Sequence, residues 1–231
     1  MAWTMGFIQA PASEVAGAYL AWQTAIQNKR GVDIREEHRH GGLQSAFDGL
    51  LPLTSVERRR SVFIQTMSDW TAYFDNGVMG SDPMPVVAHL CLQQGWKGVC
   101  ATSVPNSFDA KAGRGSYRST QWEIYGPSRT EWLNVERTLA ASNDGGRWVF
   151  VDQGAKLPFE QVEFYQKKRI QDRFTPELLE SYLKEMGIRA FDEDFYESSE
   201  GHWLLNKSGP HAPQMQSYTL EESYALPGGI G

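Results

Sequence analysis

Two alternating histidines, His38 and His40, could bind a metal in this 231-residue chain. On a strand they would share one face, and Glu36 or Glu37 beside them could add a ligand. The sequence specifies no third ligand at a suitable spacing. It also contains no glycine-rich phosphate loop and no nucleophile elbow. We therefore predict no catalytic residue, no metal and no cofactor, and we favour a binding protein over an enzyme.

The excess negative charge of the chain lies near its carboxyl-terminal end. The sequence has 22 Lys and Arg against 28 Asp and Glu, a formal net charge of −6. Residues 190–231 contain seven of the acids and one base, Lys207, so the rest of the chain is neutral. The run Asp192–Asp194 has oxygen ligands suited to a hard cation, but it lacks the ligand spacing and the glycine turn of a calcium loop.

Aromatic residues interleave with these acids, and together they predict a docking surface for a basic protein. Acidic groups steer a cationic partner over long distances, and desolvated aromatic contacts dominate the energy of interfaces. A negative surface repels phosphate, which disfavours nucleic acid as a partner. A solvated tail whose aromatic residues hold it against the domain is the alternative. The predicted partner-binding residues are Asp192, Glu193, Asp194, Tyr196, Glu197, Glu200 and Trp203.

A second hypothesis is an enzyme or a small-ligand-binding protein with a cleft between the sheet and a loop over residues 106–118. A deep pocket that holds a carboxyl group of raised pKa would favour it. A third hypothesis is an assembly protein that uses exposed tryptophan and tyrosine side chains as its contact patch. The residues that would converge in the cleft are Tyr73, Asp75, Arg114, Trp122 and Arg137.

The spacing of apolar residues predicts helices near both ends of the chain and strands in its middle. The stripe from Val15 to Ile26 has helical spacing, and Asn143-Asp-Gly-Gly146 between two alternating runs is typical of a hairpin turn. Predicted helices cover residues 13–28, 43–51, 83–94, 160–172 and 175–186, and predicted strands cover 32–35, 61–66, 70–74, 97–104, 120–125, 132–141 and 147–152.

This order of elements predicts an α+β fold, a largely antiparallel sheet with helices packed mainly on one face. We expect residues 1–196 to form a single α+β domain. We expect residues 197–231 to form a mostly irregular, acidic segment wrapped on its surface. A mass of 26.0 kDa and a hydrophobic content of 41% are sufficient for a sizeable core.

The sequence predicts neither a membrane-spanning segment nor a secretion signal. No apolar run is long enough to span a bilayer, and the first residues lack the basic and apolar regions of a secretion signal. Two cysteines, Cys91 and Cys100, cannot form a disulfide framework, and the sequence leaves open whether they are close. We expect a cytoplasmic protein with reduced thiols.

Three stretches of the chain together resemble a family of uncharacterised bacterial proteins of similar length. They are Trp70–Gly77, Asn143–Phe150, and Arg173–Leu178 continuing to Met186–Ile188, and the resemblance covers about residues 5–196. It implies a bacterial, cytoplasmic, single-domain protein and carries over no catalytic residue. Such small acidic proteins are similar in style to immunity proteins that neutralise toxins. The implied partner is therefore a toxin that acts inside the cell, and the implied function is its inhibition.

Overall fold

A nine-stranded sheet forms the centre of the structure, a computed structural model that describes residues 3–111, 113, 115–224 and 226. The strands are β1 (Trp3–Ile8), β2 (Asp33–Arg39), β3 (Leu53–Thr54), β4 (Arg60–Gln65), β5 (Thr71–Asp75), β6 (Gly98–Val104), β7 (Ser119–Tyr125), β8 (Val135–Asn143), β9 (Trp148–Gly154), β10 (His202–Ser208) and β11 (Ser217–Tyr218). The order across the sheet is β2-β10-β4-β5-β1-β6-β7-β8-β9. All neighbouring strands are antiparallel, and β3 pairs separately with β11.

Helices of the described residues pack around this sheet. Thr175 accepts a hydrogen bond from the Leu178 N–H and so caps one of them, with Pro176 in its first turn, as the sequence predicts. Within the part of the chain that the structure describes, no helix is both long enough and apolar enough to cross a bilayer. The helices are α1 (Ala12–Gln27), α2 (Leu43–Leu50), α3 (Met84–Gln94), α4 (Pro176–Glu185) and α5 (Leu220–Tyr224).

Both faces of the central strands are buried. On β4, Val62 and Ile64 belong to one hydrophobic cluster and Phe63 belongs to another on the opposite face. α2 and α4 contribute to the first cluster, and α1 and α3 contribute to the second. The predicted α+β class with a largely antiparallel sheet is confirmed. The helices, however, cover both faces rather than mainly one, because the central strands are apolar on both sides.

Two free cysteines lie in the second cluster, Cys91 on α3 and Cys100 on β6. Burial raises the pKa of the Cys91 thiol to about 12, and it raises the pKa of Cys100 well above its ordinary value. Since the thiolate is the reactive form, neither residue is a nucleophile at neutral pH.

β10 corrects the expectation that residues 197–231 are mostly irregular and wrapped on the surface. His202–Ser208 is a strand inside the sheet, paired with β2 on one side and β4 on the other. Leu204 and Leu205 are 4% and 1% exposed and contribute to opposite clusters. The strand was missed because its apolar core is only two residues long and both faces are buried, which removes the period-2 alternation.

A buried ion pair fixes the chain that follows β9. Arg137 of β8 donates to Glu160 through Nε at 2.8 Å and through Nη2 at 2.6 Å. Its Nη1 donates to Asp152 Oδ1 at 2.7 Å. Burial opposes ionisation of Glu160, but hydrogen bonds from Arg137, the Leu157 N–H and the Tyr165 hydroxyl outweigh it and lower the pKa of Glu160.

This ion pair explains why the predicted helix over residues 160–172 is wrong. The segment contains two short 3-10 turns, Val162–Gln166 and Ile170–Asp172. Glu160 accepts the N–H of Leu157 and the two guanidinium donors, so tertiary contacts determine the backbone at the point where the helix would begin. Amphipathic spacing alone does not overcome them.

Removal of one partner of the ion pair should destabilise the protein strongly. We expect Glu160→Ala to lower the free energy of unfolding by about 3–5 kcal/mol, because Nε and Nη2 of the buried Arg137 would lose their carboxylate partner and only Asp152 would remain. The exposed pair of Glu180 and Lys184, at 2.7 Å, supplies the control. Glu180→Ala should change the free energy of unfolding by less than about 1 kcal/mol. Urea unfolding measures both, and equal losses would contradict this role of Glu160.

His202 begins β10 and is fully buried beside the end of β2. Its Nδ1 lies 3.3 Å from the Gly41 carbonyl oxygen, and its Nε2 has no hydrogen-bond partner among the described residues. Burial lowers the pKa of this imidazole; the Gly41 carbonyl opposes the shift, and the charges of Arg39, His38 and His40 add to it. His202 is therefore neutral in the folded protein at pH 7.

Stability should fall in mild acid because of His202. The pKa of His202 in the folded protein lies below its unfolded value of about 6.5. The stabilisation that neutral His202 contributes is therefore complete above about pH 6.5 and is lost as the pH falls towards the folded pKa. We expect the urea midpoint to drop between about pH 7.5 and pH 5, and His202→Gln to drop less. His211→Gln, which alters an exposed imidazole, should behave as the wild type does.

Candidate functional site

The strand ends of the sheet meet at two opposite rims because all neighbouring strands are antiparallel. At the first rim β1, β2, β4, β7 and β9 end, and β5, β6, β8 and β10 begin. We call it the Trp132 rim, after the loop of residues 126–134 that joins β7 to β8. The opposite rim, near the last residues of β10, is the Lys207 rim.

Asn134 anchors the loop of the Trp132 rim. The residue is 1% exposed, and its Nδ2 donates to the carbonyl oxygens of Ala88 at 3.0 Å and Gly126 at 2.8 Å. The Gly126 N–H donates in return to the Asn134 carbonyl oxygen at 3.0 Å. The two ends of the loop are thus bound to each other and to α3.

The loop presents Trp132 and Leu133 to solvent. They are 69% and 49% exposed. Thr130 donates its N–H to the Leu133 carbonyl oxygen and its hydroxyl to that of Trp132, both at 3.0 Å. Leu133 has a φ of 54°, in the left-handed region that costs an L-residue about 1–2 kcal/mol. A fixed loop that combines strain with an exposed indole indicates a contact site.

The apolar pattern of the sequence predicted a strand here and did not indicate this loop. It placed residues 132–141 on a strand, but β8 begins at Val135. The Asn134 side chain donates to two backbone carbonyl oxygens, those of Ala88 and Gly126. These contacts hold the chain in a loop at this point, so the strand does not extend back to residue 132. An asparagine inside an apolar run was the available signal.

Three of the predicted partner-binding residues lie together at the same rim. Glu197, Glu200 and Trp203 line an open depression of about 710 Å³ together with Met67, which is 61% exposed. None of the residues that line the depression is a lysine, an arginine or a histidine. Trp203 stacks on His38, with the ring centroids 4.3 Å apart. The depression suits a cationic side chain with an aliphatic stem.

The other predicted residues are placed differently. Asp192 and Asp194 lie 3.2 and 3.1 Å from Arg189 Nη1, so a neighbouring base partly neutralises them. Tyr196 is 2% exposed and donates to the Ala190 carbonyl oxygen. Glu193 is exposed at the start of the 3-10 turn Glu193–Tyr196. None of these four residues lines the depression.

The acidic segment extends from one rim to the other. Phe191 packs against Trp3, at the start of β1, with ring centroids 4.6 Å apart. The Phe195 carbonyl oxygen accepts the N–H of Met67, beyond the end of β4. α5, which carries Glu221, follows β11 near the start of β4. The acids of residues 190–231 therefore do not form one continuous patch.

The cleft of the second hypothesis is not assembled by the described residues. Tyr73 belongs to the cluster beneath α1 and α3, whereas Trp122 belongs to the opposite cluster. Asp75 is paired with Arg58 at 3.0 Å, and Arg137 is held by Glu160. The predicted contribution of Arg114 lies outside the described residues.

No group of three or more His, Cys, Asp and Glu among the described residues is placed to hold a metal ion. This includes His38 and His40, whose rings lie 5.0 Å apart. Comparison with protein-family models, curated proteins and solved structures found no match to the chain. The function must therefore be inferred from the geometry of the two rims.

The Trp132 loop should loosen when its anchor is removed. We expect Asn134→Ala to lower the free energy of unfolding by about 1–3 kcal/mol, because two carbonyl oxygens lose their donor. Amide hydrogen exchange of Gly126 and Val135 should accelerate. Asn28→Ala, at an exposed position after α1, is the control and should leave both quantities nearly unchanged. Unchanged exchange in Asn134→Ala would show that the loop is not held by this side chain.

Proposed function

We propose that this is a binding protein that docks a basic protein partner across the Trp132 rim. The observation that carries the proposal is Trp132 itself, which is 69% exposed on a loop fixed by hydrogen bonds. An exposed indole on a fixed loop costs little backbone entropy to bind and gains a large desolvated contact, which is the property of an interface hot spot.

The loop and the depression fit within one interface. β8, which follows the loop, and β10, which follows the depression, are separated by six strand spacings in the sheet. At about 4.8 Å per spacing, this corresponds to roughly 29 Å. A standard interface covers about 800 Å² of each partner, a patch roughly 30 Å across. We infer that one partner, shaped to follow the twist of the sheet along this rim, contacts Trp132, Glu197 and Glu200 together.

Charge favours a basic partner over an acidic one. The charged residues that line the depression are two exposed acids, Glu197 and Glu200, and complementary charge increases association rates and rejects like-charged proteins.

The resemblance to a bacterial family with the style of immunity proteins supports a toxin as this partner. As an inhibitor, the protein would insert Trp132 into the substrate cleft of the toxin, while Glu197 and Glu200 pair with the basic residues that bind its substrate. This arrangement blocks an active site without any catalytic group in the inhibitor.

The test needs the product of a toxin gene adjacent to the gene of this protein, and a genome without such a neighbour would contradict the toxin as partner. We expect Trp132→Ser to weaken the complex by about 30-fold or more, mainly through faster dissociation. The double variant Glu197→Gln, Glu200→Gln should slow association several-fold at low salt and lose this defect at high salt. Biolayer interferometry measures both rates.

Matched controls lie at the opposite rim. Met79 is 57% exposed and Glu221 is exposed on α5, so Met79→Ser and Glu221→Gln change the same properties elsewhere. They should leave both rates unchanged. Wild-type affinity in Trp132→Ser would refute the docking surface, as would losses confined to the two controls. Truncation before residue 197 is not a usable test, because it removes β10 from the sheet.

A further inference from the structure

A basic cavity of about 410 Å³ lies at the Lys207 rim. The end of α1, the segment before β4 and the end of β10 form its walls. It is far from the Trp132 rim and serves none of the contacts proposed there. Its charged and titratable lining residues are Arg30, Glu57, Arg58, Arg59, Lys207 and His211.

Lys207 is the partly buried cation of this cavity. Its Nζ donates to Gln23 Oε1 at 2.8 Å and lies 5.7 Å from the centre of the Tyr19 ring. Burial and then the charge of Arg59 lower the pKa of its ammonium to about 8, against the opposing charges of Asp75 and Glu57. An amide oxygen and an aromatic face solvate an ammonium less well than water does, so Lys207 gains from an anion placed beside it.

The two arginines before β4 are held rigidly. Arg59 donates Nη1 to the Pro210 carbonyl oxygen at 3.2 Å and Nη2 to that of Gly209 at 3.0 Å. Arg58 Nε lies 3.0 Å from Asp75 Oδ1, yet without the alignment of a hydrogen bond, and this buried nitrogen has no hydrogen-bond partner among the described residues. The Arg59 guanidinium is therefore pre-positioned, and the charge of Asp75 keeps that of Arg58 beside it.

Opposing charges do not cancel the positive potential. Glu57 lies in the lining, 3.3 Å from Arg59 Nη1, and Asp75 lies behind Arg58. The end of α1 adds a partial charge of about −0.5. Against these stand three arginines and Lys207, and like charges in a cavity of this size repel one another. A bound anion relieves that repulsion.

We propose that this cavity binds a small phosphate-bearing molecule. Guanidinium groups match the geometry of phosphate oxygens, and an ammonium adds a point charge beside them. The volume lies within the range of small-ligand sites and holds a phosphate group with a small organic part. A concave site of this size also favours a small anion over the extended backbone of a nucleic acid.

The affinity for phosphate should depend on the charge of Lys207. As pH rises through about 8, Lys207 loses its proton and binding weakens. Inorganic phosphate becomes more negative over the same pH range, which by itself would strengthen binding. A decrease in affinity must therefore come from the loss of charge on the protein. The groups that face Lys207 or share its cavity are Tyr19, Gln23, Arg30, Glu57, Arg58, Arg59, Asp75 and His211.

Isothermal titration of the full chain with inorganic phosphate and with pyrophosphate at low ionic strength tests the site. We expect saturable binding with a dissociation constant of about 1 mM or tighter. Lys207→Met should weaken it about tenfold or more, because a charged donor is lost from a partly buried position. Lys207→Arg should retain binding and abolish its decline above pH 8.

Two exposed neighbours provide a matched pair that does not affect folding. Arg30 lines the cavity and Lys29 does not, although both lie in the turn that follows α1. Arg30→Gln should weaken binding several-fold, and Lys29→Gln should not. The site is refuted if neither phosphate nor pyrophosphate saturates by about 10 mM. Equal effects of Arg30→Gln and Lys29→Gln would also refute it, since they indicate general attraction to a basic surface.

Discussion

The pairing of β10 between β2 and β4 is the constraint on which both rims depend. β10 is hydrogen-bonded on both sides, and its register places Trp203 opposite His38 and Lys207 opposite Ile34. Because side chains alternate along a strand, Trp203, Leu205 and Lys207 share the face beneath α1. A shift of one residue would turn all three to the opposite face and dismantle both candidate sites.

One seven-residue strand thus separates two surfaces of opposite chemistry. The carboxylates that precede β10 contribute to an open, acidic depression, whereas the residues that follow it close a basic cavity. The net charge of residues 190–231 describes neither surface. This sum includes acids that lie at both rims and two acids that pair with Arg189. It leaves out the arginines before β4, which lie outside this range of the sequence but line the basic cavity.

Local signals predicted much of the fold. α1, α3 and α4, the strand pair β4–β5 and the hairpin around Asp144 follow from apolar spacing, capping and turn residues, and all are present near the predicted bounds. The failures occur where tertiary contacts determine the backbone. Glu160 is engaged by an arginine 23 positions away, β10 is buried on both faces, and Asn134 ends an extended run through hydrogen bonds to Ala88 and Gly126.

The candidate sites were less predictable than the fold. Glu197, Glu200 and Trp203 were identifiable because acids and aromatic residues are close in sequence, and the structure places these three together. Arg30, Arg58 and Lys207 come from three distant segments, so no spacing in the sequence joins them. The exposure of Trp132 depends on a loop conformation that apolar periodicity cannot distinguish from a strand.

The burial of Cys91 and Cys100 makes the protein convenient for spectroscopy. With both native thiols enclosed in the core and protonated, a maleimide dye or a nitroxide label added to the folded protein would react instead with a cysteine introduced at the surface. A single probe could then be attached at either rim without first replacing the two native cysteines. Fluorescence or electron paramagnetic resonance would report on each rim separately in otherwise unaltered protein.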